Sequence, residues 1–121
     1  MIKLLKLIEA TDIKSLIEPY IDLPLECDGL TRVISYLLKK NNIKHKICTG
    51  YISYKNKKIF HWWIKLNDRK YIDYRAQMWL GKSKDIPHGI FDPKDYPLVI
   101  YNCEEQKDLH IPEIIFQVLV N

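Results

Sequence analysis

Three residues of this chain, Cys27, His61 and Asp73, have the types and the order of a thiol-based acyl-transfer site. A thiolate is a strong nucleophile, and an imidazole within hydrogen-bonding distance can take its proton. A carboxylate on the far ring nitrogen fixes the tautomer and orientation of that imidazole. The order means little unless the elements that carry these residues can bring them together.

Around Cys27 the pattern is helical. Leu30, Val33, Ile34, Leu37 and Leu38 recur at the spacing of one helix face, and Asn41-Asn42 closes the run. Cys27 precedes Leu30 by one helical turn, so it is expected at the helix start, on the buried side. Unpaired backbone amides and the helix dipole favour negative charge there, which suits a thiolate. Glu26 and Asp28 bring two carboxylates beside it and act in the opposite sense. Upstream, residues 19–26 contain Pro19 and Pro24 and are expected to run extended into the helix. Before them, Leu4, Leu5, Leu7 and Ile8, then Ile13, Leu16 and Ile17, suggest one or two short helices. Thr11 or Asp12 would be the cap between them and Pro19 the stop.

His61 and Asp73 fall where the pattern is strand-like. Residues 44–54 and 58–66 are rich in Ile, Tyr, Trp and Phe and are separated by the polar Lys55-Asn56-Lys57, which predicts a hairpin. A second turn around Asn67-Asp68 leads into Arg69–Tyr74 and completes a three-stranded antiparallel meander. His61 shares a strand face with Trp63 and Lys65. It also shares one with Asp73 only in a register whose paired residue numbers sum to an even value, because a one-residue slip flips every side chain. Pairing 65 with 69 would set the two residues opposite, and pairing 66 with 70 would leave them diagonal but within reach. A two-residue turn without a bulge would part them. Residues 75–96, with Gly81, Pro87, Gly89 and Pro93, read as a long surface loop with one helical turn around Ala76–Leu80. Residues 97–101 read as one more strand. The apolar segment 113–120 has no period that settles its type. In Asp73-Tyr74-Arg75, the arginine is expected to form an ion pair.

These residues together resemble the core of the transglutaminase-like superfamily, within the papain-like fold. The likeness covers about residues 25–75: Cys27 at a helix start, then Gly50-Tyr51 ending a first strand, His61-Trp62-Trp63 on a second, and Tyr71-Ile72-Asp73 on a third. It implies an α+β domain in which Cys27 is the nucleophile, His61 the base and Asp73 the orienting acid, with Trp63 as the aromatic beside the histidine. The activity implied is acyl transfer through a thioester, with hydrolysis of an amide in a peptide or protein favoured, and no cofactor. The second oxyanion donor beside the Cys27 amide is not assigned by the pattern. Tyr20, in the segment before Cys27, is the candidate, and His88, between Pro87 and Gly89, is a candidate at the border of the site. The alternative is a domain that keeps this fold without the chemistry and serves as a protein-binding or inhibitory module.

Composition narrows the remaining classes. A chain of 121 residues, 47% hydrophobic and 12% aromatic, has the size and make-up of a single globular domain spanning 1–121. No stretch approaches the roughly 20 apolar residues of a membrane span, and the interrupted apolar start lacks the small-residue cleavage site of a signal peptide. Three cysteines without C-x-x-C spacing argue against a disulfide framework and a zinc ribbon, which leaves reduced thiols in a cytoplasmic protein as the expectation and no metal site. Cys48 and Cys103, on expected strands, read as inert thiols. His45 and His110 read as surface or local hydrogen-bonding groups. The net charge of +4 concentrates in residues 1–60, which hold eleven basic against six acidic residues. Lys55, Lys57 and Lys58, near Tyr51, Tyr54 and Trp62, could offer a nucleic-acid surface, but scattered lysines of this kind are more often a solvated face.

Overall fold

In the computed structural model, which describes residues 10–121, a three-residue turn at Asn67-Asp68-Arg69 sets the register on which the site depends. Arg69 takes the left-handed conformation, with φ 73°. The Leu66 amide donates to the Lys70 carbonyl (2.8 Å), and the Asp68 carboxylate accepts from the Lys70 amide at 3.1 Å. Strand β2 (Lys57–Leu66) therefore pairs with β3 (Tyr71–Asp73) through Lys65 opposite Tyr71 and Ile64 opposite Ile72. This continues the 66–70 pairing and leaves His61 and Asp73 diagonal on one face. The preceding hairpin joins β1 (His45–Tyr54) to β2 through a two-residue turn, Lys55-Asn56, with Lys55 at φ 55°. Lys57 belongs to the strand and not to the turn.

The meander is the centre of a larger sheet. Two edge strands, β4 (Gly89–Phe91) on β3 and β5 (Ile100–Lys107) on β1, give five antiparallel strands in the order β4-β3-β2-β1-β5. Both edges correct the sequence reading. Residues 75–96 hold a strand as well as the helical turn α3 (Ala76–Leu80), and the last strand starts at Ile100 and runs through the polar residues 102–107.

Helix α2 (Cys27–Lys40) lays Leu30, Val33, Ile34, Leu37 and Leu38 against Ile47, Ile64, Leu66 and Ile72 on one sheet face. Ile13 and Ile17 of α1 (Ala10–Ile17) and Phe116 of α4 (Glu113–Val120) complete that core, which makes the undecided C-terminal segment a helix. Asn41 closes α2 by donating from Nδ2 to the Leu37 carbonyl (2.8 Å), and Asn42 turns the chain at φ 58°. On the other sheet face a second core gathers Cys48, Ile52 and Trp63 with Ala76, Leu80, Ile86 and Val99. The fold is α+β.

The approach to Cys27 differs from expectation. Thr11 and Asp12 lie within α1, and Pro19 belongs to a 3-10 turn, Glu18–Tyr20, where its missing N–H costs nothing. The segment 21–26 is folded into successive turns (Leu23 to Tyr20, 3.3 Å; Leu25 to Leu23, 2.7 Å) and is not simply extended. The helix expected over Leu4–Ile8 lies outside the described residues. Among the described residues no helix is long and apolar enough to cross a membrane.

Candidate active site

The diagonal register has a direct chemical consequence. His61 Nε2 sits 2.9 and 3.0 Å from the two oxygens of Asp73, with both side chains buried. Asp73 is held by more than the histidine. Its Oδ1 accepts from the amides of Arg75 (2.9 Å) and Ala76 (3.0 Å), the latter at the start of α3, and its Oδ2 accepts from the Tyr101 hydroxyl at 2.8 Å. All of these partners are donors, so the carboxylate serves only as an acceptor. Tyr101 comes from β5, beyond β1, so three strands converge on one carboxyl group.

Because Nε2–H is committed to Asp73, Nδ1 is the ring nitrogen left for proton exchange. It is fully buried and has no hydrogen-bond partner of regular geometry among the described residues. The Cys27 thiol is the other group near enough to act on the ring, and it favours the charged form. Burial opposes a charged imidazole. The charge and hydrogen bond of Asp73, with the two contributions of Cys27, outweigh it and hold His61 up at about 9. An imidazolium formed by taking up the Cys27 proton is therefore favoured at neutral pH.

Cys27 is the first residue of α2 and half-buried. Its N-cap, Glu26, is extended and makes no side-chain cap, and Asp28 directs Oδ1 onto the Gly29 amide (2.9 Å). The first intrahelical bond, from Leu30 N to Glu26 O (3.0 Å), leaves the Cys27 amide without an intrahelical acceptor, as expected at a helix start. That amide is available to an oxyanion.

The other candidates are distributed differently. Trp63 is fully buried, its ring 6.3 Å from His61 and nearly parallel to it, with Tyr101 edge-on at 5.0 Å. A side chain with no exposed surface forms the wall behind the histidine, not a contact for substrate. Tyr20 packs edge-on against Phe116 (5.7 Å) in the helical layer. His88 lies edge-on to Tyr74 (5.1 Å), in a groove shared with Lys14, Glu18 and Ile21. Neither Tyr20 nor His88 is among the groups bonded to His61 or Asp73. Cys48 is buried, and burial followed by its Cys103 neighbour pushes its thiol up to about 12, which suits an inert packing group. His45 is tied locally, to Ser35 Oγ (2.6 Å) and the Ile43 carbonyl (2.8 Å). His110 sits beside Lys39 and Asp108. Lys55 and Lys58 lie over the rings of Tyr54 and Tyr51.

Two residues at the site were not legible as such. Tyr101 reaches Asp73 only through the pairing of β5 with β1, and that pairing contains a register shift between Thr49 and Gly50 which no local pattern announces. Arg75 makes no ion pair with a carboxylate among the described residues. It donates to four main-chain carbonyls, three of them in the segment before Cys27. No protein-family model, curated protein or solved structure matches the chain, so the site stands on its own geometry.

Proposed function

We propose that this chain is a thiol acyl-transfer enzyme with a papain-like, transglutaminase-like architecture, acting on an amide bond of a peptide or protein. The observation that supports the reading most is the buried His61–Asp73 pair, with Nε2 committed to the carboxylate and the Cys27 thiol near enough to favour the charged ring. Cys27 passes its proton to Nδ1, and the thiolate attacks the carbonyl carbon. The oxyanion is received by the Cys27 amide. As the C–N bond breaks, the Nδ1 proton goes to the leaving amine, and a thioester remains on Cys27. Nδ1 then accepts a proton from water, which attacks the thioester and releases the acid. Asp73 stays in place throughout and stabilises the imidazolium.

The test uses a small activated ester, p-nitrophenyl acetate, and peptide mapping by mass spectrometry. Acetyl is expected on Cys27, removable by hydroxylamine, absent in Cys27→Ala and strongly slowed in His61→Ala. Acetylation of Cys27 that is indifferent to His61→Ala would sink the proposal. A second reading, a binding module without chemistry, has its own support in the apolar outer face of α4, where Ile114 and Val118 are about 70% exposed. It would be favoured by an unreactive Cys27.

A further inference from the structure

The geometry points to Arg75 as the residue that positions the nucleophile, an inference that rests on the thiol reading above. Its buried guanidinium donates from Nε to the Leu25 carbonyl at 2.7 Å, from Nη2 to the carbonyls of Ile21 and Leu23 at 2.9 Å each, and from Nη1 to the Tyr74 carbonyl at 3.1 Å. Three of these acceptors belong to the turn segment that ends at Cys27. The fork of a guanidinium suits this convergence: a planar group with five fixed donors can hold several carbonyls at once, and an ammonium cannot reproduce the arrangement.

The location of Arg75 gives the clamp its meaning. The same short stretch, Asp73–Ala76, carries the carboxylate that orients His61, the amides that hold that carboxylate, and the guanidinium that holds the 21–25 segment. One turn therefore fixes both the direction of the imidazole and the position of the helix start that carries the thiol. The segment's own turns and the packing of Ile21 and Leu25 on the core hold it locally, and Glu26 adds no side-chain cap. Among the described residues, Arg75 is the side chain that bonds it to the turn carrying Asp73. The guanidinium also interacts electrostatically with Cys27, so a positive charge lies under the segment that ends in the nucleophile. Arg75 is a positioning residue: it acts on Cys27 through the backbone of residues 21–25 and touches no reacting atom.

The experiment measures the rate of Cys27 alkylation by iodoacetamide against pH, in the intact chain, for the wild type, His61→Ala, Arg75→Lys, Arg75→Gln and the Arg75→Lys/His61→Ala double variant, with thermal melts of each. Arg75→Lys keeps the charge and loses the fork. It is expected to melt cooperatively, to alkylate about tenfold more slowly at neutral pH, and to lose no further rate on adding His61→Ala, because the imidazole no longer reaches a displaced thiol. Arg75→Gln, without the charge, is expected to move the rate–pH profile to higher pH as well. Arg75→Lys with the wild-type rate and the wild-type dependence on His61 would overturn the inference. So would the loss of a cooperative melt in both Arg75 variants, which would make Arg75 a support of the whole fold. Independence from His61 in the wild type itself would instead bring down the thiol reading, and this inference with it.

Discussion

Asp73 receives hydrogen bonds from the His61 ring, the Tyr101 hydroxyl and the amides of Arg75 and Ala76, and the pair it forms with His61 is sealed behind Trp63. Cys27, by contrast, is half-buried at the start of a helix without a side-chain cap, on a segment held from beneath by one arginine. The acid–base and nucleophile halves of the proposed site are built on different principles. The acid–base half belongs to the sheet and is over-determined, so changes there should cost stability and activity together. The nucleophile half is docked onto it, so changes there should cost activity with little loss of stability.

Asp73→Asn tests this division most severely. The amide cannot accept on both sides as the carboxylate does, and it leaves the buried His61, Tyr101 and backbone donors incompletely matched. Breaking a buried charge pair on one side typically costs about 3–5 kcal/mol, and the expected loss in a urea melt is of that size. Loss of the orienting carboxylate should lower the Cys27 acylation rate by about 10³-fold or more. Cys27→Ala should abolish acylation and leave the melt within about 1 kcal/mol of wild type, since the site is half-exposed and the change small. Equal stability losses in the two variants would erase the contrast.

The legibility of the molecule in its sequence follows the same division between local and distant contacts. Helix α2 and the meander could be read because their apolar periods are long and their turns short, but the register was legible only as a parity condition, which the three-residue turn Asn67-Asp68-Arg69 meets. β4 was not read, and of β5 only its first two residues, Ile100 and Tyr101, fell in an expected strand. The first is three residues long, and the second alternates in burial but carries Asn102, Glu104, Glu105 and Gln106, because one of its edges is open and asks for no apolar residues. The pairing of β5 with β1 that brings Tyr101 to Asp73 was not read. Arg75 was misread for a different reason: its charge suggested a carboxylate partner, whereas three of its four acceptors are carbonyls 50–54 residues away in sequence.

A pH series sharpens the comparison from the acid–base side. His61 binds its proton more tightly in the folded state, at about 9, than at the ordinary value of 6.5, with burial opposing and Asp73 and Cys27 favouring the charge. A raised value contributes stability that is fully present below 6.5 and is lost as the pH rises through 9. The scale is about 3 kcal/mol at 1.36 kcal/mol per unit. Urea melts of wild type and His61→Gln between pH 6 and 10 isolate it: the difference between the curves should be largest at low pH and close at high pH. Parallel curves would mean that His61 titrates no differently in the folded chain.

Gly50 offers a test through the sheet alone. A Cβ built there would lie 2.0 Å from the Asn102 carbonyl oxygen and 2.8 Å from the Glu104 amide, both main-chain groups of β5 that cannot turn aside. Glycine is required at this point by the close approach of β5 at the register shift. Gly50→Ala should cost about 2–3 kcal/mol as β5 is pushed off β1, and it should lower acylation by displacing Tyr101. Adding Tyr101→Phe to Gly50→Ala should then lower acylation no further. A full additional loss would place the damage elsewhere.

Tyr101→Phe is the gentlest change. The ring keeps its contacts with Trp63, Tyr71 and Phe91, and only the hydroxyl is removed from Asp73 Oδ2, which retains His61 Nε2 at 2.9 Å. A hydrogen bond to a charged group contributes about 1.5–3 kcal/mol. The lower end is expected here, because the carboxylate keeps its other donors and the phenylalanine leaves no buried hydroxyl behind. Burial, together with the charge and hydrogen bond of Asp73, pushes the Tyr101 hydroxyl well above its ordinary range, so it remains a donor across the working pH range. With His61 still held, acylation of Cys27 should fall less than tenfold. A loss as large as that of Asp73→Asn would show that Tyr101 and not the histidine pairing fixes the carboxylate, and would move the rigid centre of the site from the β2–β3 turn to the β1–β5 junction.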